Sequence, residues 1–174
     1  MHFYPGWHQV SELPHLQSLE IHTCPIDDED VSYICTSHTL QQLKLHGCKL
    51  LTKKSVLNIS KMQQLVTLRL SDNKSLSASL AHLSWLANLK DLDVSGTLVR
   101  NKELVAIVGA LCGTLENLAL GGCVLVTDRV LTFLDRLERL QRLDVRGTVL
   151  DEKSLGEFCD VMGMDYREGI ATFS

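Results

Sequence analysis

Cysteine and histidine are the residues of this sequence with the widest chemical repertoire, as nucleophiles, redox groups and metal ligands. The chain has six cysteines and seven histidines. No two cysteines are spaced as Cys-x-x-Cys, the arrangement that zinc and redox sites use. Cys24, Cys48 and Cys123 follow aliphatic stretches at equivalent places, which indicates buried thiols. We therefore expect reduced cysteines and an intracellular chain, cytoplasmic in preference to mitochondrial.

Histidines and acidic residues are the next candidates for chemistry. His22 and His46 occupy equivalent places, but two ligands are too few for a closed zinc site. The acidic run Asp27–Asp30 lacks the spacing of a calcium loop, and it suits the positive end of a helix. Cys112 has no neighbouring base in the sequence to activate it. We predict that the chain is not an enzyme and has no metal, cofactor or small-molecule site.

A six-fold repeat positions all of these residues. Each copy has the frame Leu-x-x-Leu-x-Leu/Ile/Val, and the first leucines stand 24 to 26 residues apart. A period in the twenties with this frame is typical of a leucine-rich-repeat solenoid. The copies begin at Leu16, Leu40, Leu65, Leu89, Leu115 and Leu140, and an interior slot eight positions later holds Cys24, Cys48, Asn73, Thr97, Cys123 and Thr148.

The predicted fold class is α/β, a horseshoe arc of six repeats of about 25 residues with a parallel concave sheet and convex helices. In the fifth repeat Leu118 and Leu120 alternate with polar or small residues, as in a strand. Gly121 and Gly122 permit a turn, after which Cys123 points inward to meet backbone amides that the turn leaves unpaired. Helix starts are predicted at Asp27 or Asp28, Thr52, Ser77, Asn101, Thr127 and Asp151.

Three columns of residues are predicted on the concave face, because residues that flank the core leucines point away from the core. In the second column Glu20 faces Lys44 and Arg69 faces Asp93. These charges either neutralise each other on a solvated face or form a patterned surface for a partner. The columns are Ser18, Gln42, Thr67, Asp91, Asn117 and Arg142; Glu20, Lys44, Arg69, Asp93, Ala119 and Asp144; and His22, His46, Ser71, Ser95, Gly121 and Arg146.

Nine residues of these columns are the candidate protein-binding site. Arg69, Arg142 and Arg146 are the best anchors, because arginine and aromatic residues supply most of the binding energy of protein interfaces. We expect no large apolar residue on this face. The nine candidates are His22, Lys44, His46, Arg69, Asp91, Asp93, Arg142, Asp144 and Arg146.

Two stretches carry a resemblance to one subfamily of these repeats. Cys48 and Cys123 hold the interior slot, and Thr52 and Thr127-Asp128 begin the helices that follow. Over roughly residues 13 to 160 the chain resembles the cysteine-containing leucine-rich-repeat subfamily. That subfamily includes F-box ubiquitin-ligase receptors and mitochondrial proteins of the ATP synthase coupling factor B type. The resemblance implies a domain that reads protein substrates in the first case and a subunit of a large complex in the second.

Composition and the two ends of the chain narrow the classes of partner. The net charge of -4 and the pI near 5.9 argue against nucleic acid and anionic membranes. No apolar run reaches the 18 or so residues of a membrane span. Residues 1–13, with Phe3, Tyr4 and Trp7, are expected to cap the first repeat or to form an aromatic docking segment. Residues 14–163 form the repeat domain, and residues 164–174 form a tail or cap.

Two functions remain open at this point. The first is a non-enzymatic interaction module whose concave sheet binds a protein partner, with ubiquitin-ligase substrate recognition as its most specific form. The alternative is a structural or assembly subunit of a large mitochondrial or cytoskeletal complex, with contacts at its termini or convex face. Trp85 bears on the alternative. We expect it to pack between helices, although it would mark a convex docking site if exposed.

Overall fold

A computed structural model describes residues 6–173 and shows the predicted leucine-rich-repeat solenoid. Six short strands, one from each repeat, lie side by side in chain order and pair in parallel. The second leucine of each frame lies opposite its counterpart in the next strand, from Leu19 to Leu143. The strands are β1 (Ser18–His22), β2 (Gln42–His46), β3 (Thr67–Arg69), β4 (Asp91–Asp93), β5 (Asn117–Ala119) and β6 (Arg142–Asp144).

Two further strands follow the last repeat. β7 (Asp165–Arg167) and β8 (Ile170–Thr172) form an antiparallel hairpin, and β8 also pairs antiparallel with β6. Glu168 and Gly169 between them both have positive φ, 49° and 82°, as a tight hairpin turn requires. The hairpin occupies the edge of β6 that the sixth repeat would otherwise leave open.

The convex side contains both α-helices and 3-10 helices. The α-helices are α1 (Asp28–Ile34), α2 (Lys53–Ile59), α3 (Asn101–Leu111), α4 (Leu131–Leu134) and α5 (Glu152–Met162), and the 3-10 helices are Lys74–Trp85 and Asp128–Val130. Asp27, Thr52 and Asp151 cap α1, α2 and α5 with side-chain oxygens, as predicted.

The third repeat differs from the predicted helix. Ser77 does not cap an α-helix, because the whole stretch Lys74–Trp85 winds as a 3-10 helix without a side-chain cap. The Ser79 hydroxyl donates to the carbonyl of Leu76 at 2.6 Å. Such local side-chain bonds compete with the α-helical backbone pattern, which explains the tighter winding in this serine-rich stretch.

The interior slot places hydrogen-bond donors against backbone carbonyls. The Asn73 amide donates to the carbonyls of Leu45 and Leu70 at 2.6 and 3.0 Å. The Cys123 thiol donates to the carbonyl of Val94 at 3.2 Å. The sequence predicted contact with backbone amides, and hydrogen bonds from the backbone of Thr97 and Gly96 to Cys123 are present beside its bond to the Val94 carbonyl. The side-chain amide of Asn73 and the thiol of Cys123 thus donate to backbone carbonyls from inside the core.

Glycine turns stack directly on one another in repeats 4 to 6. Gly96, Gly122 and Gly147 have φ values of 66°, 68° and 67°, which favour glycine. A Cβ on Gly122 would lie 3.8 Å from the Cα of Gly96, and one on Gly147 would lie 3.7 Å from the Cα of Gly122. The residues that follow these turns must therefore also line up from repeat to repeat.

Polar side chains at the helix starts join some neighbouring repeats. Asp28 accepts from the backbone N–H and the hydroxyl of Thr52, at 2.9 and 2.5 Å. Asn101 accepts from the backbone N–H of Thr127 at 3.0 Å and donates to its hydroxyl at 2.7 Å. The Thr127 side chain is engaged in this contact and does not cap its own helix, contrary to the prediction.

The same kind of bond links the last two repeats, where Asp128 accepts from the backbone N–H of Asp151 at 2.8 Å. Within residues 6–173, none joins the helix starts of the third and fourth repeats. The Arg100 N–H donates instead to Glu103 of its own helix at 3.0 Å. The junction between these two repeats rests mainly on apolar packing and on the backbone bonds of the sheet, with a side-chain bond from Thr67 to Asp91 on the concave side.

The N-terminal segment lies against the first repeat. A 3-10 helix, Trp7–Glu12, places the half-buried Trp7 against the core. The His8 ring meets the Tyr33 ring of α1 edge-on, with centroids 6.4 Å apart. Phe3 and Tyr4, assigned to the same cap from the sequence, lie outside the described residues. No helix among residues 6–173 combines the length and apolarity needed to cross a membrane.

Candidate functional site

The strand register forms the columns that the sequence frame predicts. Glu20, Lys44, Arg69 and Asp93 are successive Cα partners across β1 to β4, and His22 lies opposite His46. A fixed frame in every repeat leaves no room for a register slip, which would turn the leucines outward. All nine candidate residues therefore lie on one continuous face of the solenoid.

Over β1 and β2 the charged side chains of this face pair with one another. Lys44 Nζ lies 3.0 Å from Glu20 Oε2, and His22 Nε2 lies 2.7 Å from Glu20 Oε1. The hydrogen bonds from Lys44 and then His22 hold the pKa of Glu20 below its ordinary value. His46 Nδ1 lies 2.9 Å from Ser71 Oγ. This half of the concave face satisfies its own polar groups.

Over β3 to β6 the face contains a concavity of about 440 Å³. Ala119, the smallest residue of the second column, lies in its lining, and Gly121, the smallest of the third column, follows two residues later. A Cβ on Gly121 would lie 3.4 Å from the carbonyl oxygen of Arg146 and 3.5 Å from the hydroxyl of Ser95. The charged residues of the lining are Arg69, Asp91, Asp93, Arg142, Asp144 and Arg146.

Arg146 and Asp144 form a bidentate ion pair at one side of this concavity. The Arg146 guanidinium donates through Nε to Asp144 Oδ1 at 2.9 Å and through Nη2 to Oδ2 at 2.5 Å. Burial raises the pKa of Asp144, but the hydrogen bonds from Arg146 outweigh it and hold this pKa below its ordinary value. Arg146 is therefore engaged within the chain, and it is a weaker anchor candidate than the sequence indicated.

The two aspartates of β4 are also occupied. Asp91 accepts from the Thr67 hydroxyl at 3.2 Å and from the side-chain amide of Asn117. Asp93 accepts from the backbone N–H of Ser95 at 2.9 Å. These bonds hold the carboxylates in place and use part of their capacity to accept.

Arg69 and Arg142 are the charged residues of the concavity whose side chains form no hydrogen bond within residues 6–173. Both are exposed, and neither forms an ion pair or a side-chain hydrogen bond with any residue of the described range 6–173. Arg69 lies opposite Asp93 in the register, as predicted, but the expected neutralising ion pair is not formed. The positive charge at these two positions is available to a partner.

The hairpin adds a part of the face that sequence reasoning missed. Thr172 lies opposite Arg142, and Ile170 lies opposite Asp144. β7 then places Asp165 opposite Thr172 and Arg167 opposite Ile170. Directly opposed residues of antiparallel strands share a face, so Ile170 brings an aliphatic side chain to a surface expected to have none.

A second concavity of about 510 Å³ lies over this hairpin, and Arg142 and Arg146 border both concavities. The sequence does contain a signal for it. Glu168-Gly169 stands between two short stretches in which Tyr166 and Ala171 are inward positions, a pattern typical of a hairpin. This stretch lacks the leucine frame, and the short pattern alone does not predict the two strands.

The cysteines show the features of structural thiols. All six are free, and Cys48, Cys123 and Cys159 are buried. Burial raises the pKa of Cys35 to about 12. A thiol with such a pKa is protonated at neutral pH and a poor nucleophile. Among residues 6–173, no three histidine, cysteine or acidic side chains are grouped to hold a metal ion.

Trp85 is exposed on the convex side and does not pack between helices as expected. Its exposed fraction is 53%, and its ring lies edge-on to His82 with centroids 5.2 Å apart. A 3-10 helix repeats every three residues, so Leu80, Leu83 and Leu86 share the buried face. Trp85 falls between two of these positions and points to solvent.

Comparisons with known proteins agree with the repeat fold. No protein family model matches the chain. It is 30% identical over 100 residues to a putative adenylate cyclase regulatory protein of Trypanosoma equiperdum, a match that covers 58% of this chain and 16% of that protein.

Two solved structures have the same fold. One is Rad7 in its complex with Elc1 from yeast, with a TM-score of 0.68, 16% identity and 88% of this chain covered. The other is an internalin of Listeria monocytogenes, with a TM-score of 0.63, 18% identity and 87% covered. The matches cover 43% and 48% of those two chains. At this level of identity the likeness shows the fold alone.

Proposed function

We propose that this chain is a non-enzymatic interaction module that binds a protein partner through the concave face between β3 and β8. The observation that carries the proposal is the pair of unpaired arginines, Arg69 and Arg142, at a concavity of about 440 Å³. An arginine gains most from a partner that desolvates it and offers a carboxylate or carbonyl in return. Rigid repeats hold both guanidinium groups on one surface.

The more specific form of the proposal is substrate recognition in a ubiquitin ligase. It is supported by the resemblance of the cysteine-bearing repeats to those of F-box receptors. The fold is also that of Rad7, a protein solved in complex with Elc1. An intracellular site of action goes with it, supported by six free cysteines.

The test is affinity capture from a native lysate, read by quantitative mass spectrometry. The baits are the wild-type chain and the double variant Arg69→Glu/Arg142→Glu. Arg129→Glu is the matched control, because Arg129 is an exposed arginine outside the concave face. We expect a defined set of proteins to fall by more than about tenfold on the double variant and to persist on the control. Ligase components in that set support the specific form.

A second candidate function is a structural subunit of a large complex, and two exposed side chains favour it. Trp85 is 53% exposed and Val161 is 80% exposed, both outside the concave face. Exposed apolar residues of this size are frequent at permanent interfaces. In the same capture experiment, this function predicts a stoichiometric complex that survives Arg69→Glu/Arg142→Glu and is lost with Trp85→Ser.

A further inference from the structure

A row of exposed aliphatic residues follows the stacked glycine turns of repeats 4 to 6. Leu98, Val124 and Val149 each stand two residues after the turn glycine, and Leu125 adjoins Val124. Their exposed fractions lie between 36% and 58%. We call these four residues the apolar rim.

The apolar rim is confined to one half of the solenoid. At the same position of repeats 1 to 3 stand Pro25, Lys49 and Lys74. In the turns of these three repeats, Leu50 is the large aliphatic residue found exposed, and the next repeat separates it from Leu98. The concavity spans β3 to β6 and the rim spans repeats 4 to 6, so the two features occur in overlapping repeats.

The rim also lies close to the concavity along the chain. The glycine turns touch from repeat to repeat, so the rim side chains lie in a row across the repeats. Val124 stands three residues after Gly121, which limits the distance between their Cα atoms to about 11 Å. Arg142 and Val149 are seven residues apart, so a segment of about seven extended residues would reach from the arginines to the rim.

We propose that the partner presents an extended acidic and aliphatic segment, with a carboxylate at Arg69 or Arg142 and aliphatic side chains on the apolar rim. This inference rests on the proposed function and adds the chemistry of the ligand. The hydrogen bonds of the charged residues in the concavity indicate that the segment is acidic and not basic. Asp91, Asp93 and Asp144 each accept hydrogen bonds from donors of the chain itself, whereas Arg69 and Arg142 donate none from their side chains. A basic segment would have to displace Arg146 from Asp144 before it could bind there.

The apolar half of the segment follows from burial. Rim residues gain free energy when an apolar partner removes them from water, and the gain grows with the area covered. A segment with only acidic residues would leave the rim exposed. A segment with only aliphatic residues would cover it and leave two arginines beside a dry surface without a counter-charge.

The experiment uses a displayed library of random 12-residue peptides, selected on the whole immobilised chain. Enriched peptides are synthesised with a fluorescein label, and their affinities are measured by anisotropy. The variants are Arg69→Ala/Arg142→Ala and Val124→Ser/Val149→Ser. Val161→Ser on α5 is the control for loss of an exposed valine elsewhere.

We expect enriched peptides to carry Asp or Glu within about seven residues of two or more aliphatic side chains. Both double variants should weaken binding at least about tenfold, and Val161→Ser should leave it unchanged. If the arginine variant weakens binding and the rim variant does not, the rim is not part of the site and the proposed function stands. If neither variant changes the affinity, both proposals fail. A selection that enriches no peptide overturns the inference alone, because the inference states that a short segment suffices.

Discussion

The two halves of the concave face use the same repeat frame and reach opposite electrostatic results. Over β1 and β2, Glu20 holds both Lys44 and His22. Over β3 to β8, Arg69 and Arg142 form no ion pair and no side-chain hydrogen bond with any of residues 6–173. The charged side chains over β1 and β2 pair with one another, whereas Arg69 and Arg142 can still form ion pairs with a partner.

This difference teaches how a repeat protein separates stability from recognition. The leucine frame supplies the core in every repeat, so the concave positions are free to vary without loss of the fold. The small side chain of Ala119 then leaves room for the concavity in one half.

The largest effect is expected from truncation of the shared core. Leu118→Ala and Leu43→Ala should each lower the free energy of unfolding by roughly 2–5 kcal/mol, because each leaves a cavity under the sheet. Leu118 lines the concavity and Leu43 does not, so Leu118→Ala alone should weaken partner binding. Urea unfolding gives the stabilities, and binding is compared under conditions where both variants are folded. Equal loss of binding by both would remove the contrast between the halves.

The next effect concerns the hairpin that extends the second half. A Cβ on Gly169 would lie 2.6 Å from Cγ and 3.0 Å from Cα of Arg146, and φ is +82°. Gly169→Ala should therefore cost roughly 2–3 kcal/mol and detach β7 and β8 from β6. Gly109→Ala is the control, since a Cβ there meets nothing within 4 Å and α3 favours alanine. Amide hydrogen exchange in residues 165–172 should accelerate in the first variant and stay slow in the second.

A smaller effect is expected from the ion pair beside the concavity. Asp144→Asn should cost about 1.5 kcal/mol at neutral pH, because it weakens charge-assisted bonds to Arg146. The pKa of Asp144 is lowered in the folded chain, so its stabilisation is present above the unfolded value of about 3.9. That stabilisation is lost as pH falls through the folded pKa. Unfolding curves of the two proteins should converge below about pH 4, and a constant gap at all pH values would contradict this origin.

The smallest effect is expected from the ion pair over β1 and β2. Lys44→Met should leave the melting temperature and partner binding almost unchanged, because an exposed ion pair gains little over its solvated charges. Differential scanning calorimetry measures the melting temperature, and the binding assay used for the other variants measures partner binding. A clear loss of binding with Lys44→Met would place the recognition surface over β1 and β2 and contradict the proposed function.

Much of this architecture could be predicted from the sequence, because periodicity reports packing. The six strands, their register and the three columns follow from the leucine frame alone, as does the inward position of Asn73 and Cys123. Two other parts could not be read from it. The hairpin lacks the frame, and the 3-10 helix of the third repeat depends on serine side chains that compete with the backbone.

The position of the candidate site could be predicted from the sequence, but the ion pairs between its side chains could be predicted less well. Column neighbours could be assigned from the register, yet Arg146 pairs with Asp144, which ends β6 two residues earlier in the chain. Arg69, opposite Asp93, remains unpaired. Which of several nearby carboxylates an arginine selects depends on rotamers and burial, and the sequence pattern contains neither.

The junctions between repeats should also respond differently to temperature. Asp28 and Thr52 join the first two repeats through hydrogen bonds to a carboxylate, whereas the third and fourth repeats meet mainly through apolar packing. Hydrophobic stabilisation weakens on cooling, because the hydration of apolar surface becomes less unfavourable. The cold-labile point of the solenoid should then be the boundary between Trp85 and Asn101. Opening there at low temperature would separate the arc into two cooperative blocks, detectable as faster amide exchange at 5 °C than the rest of the sheet shows.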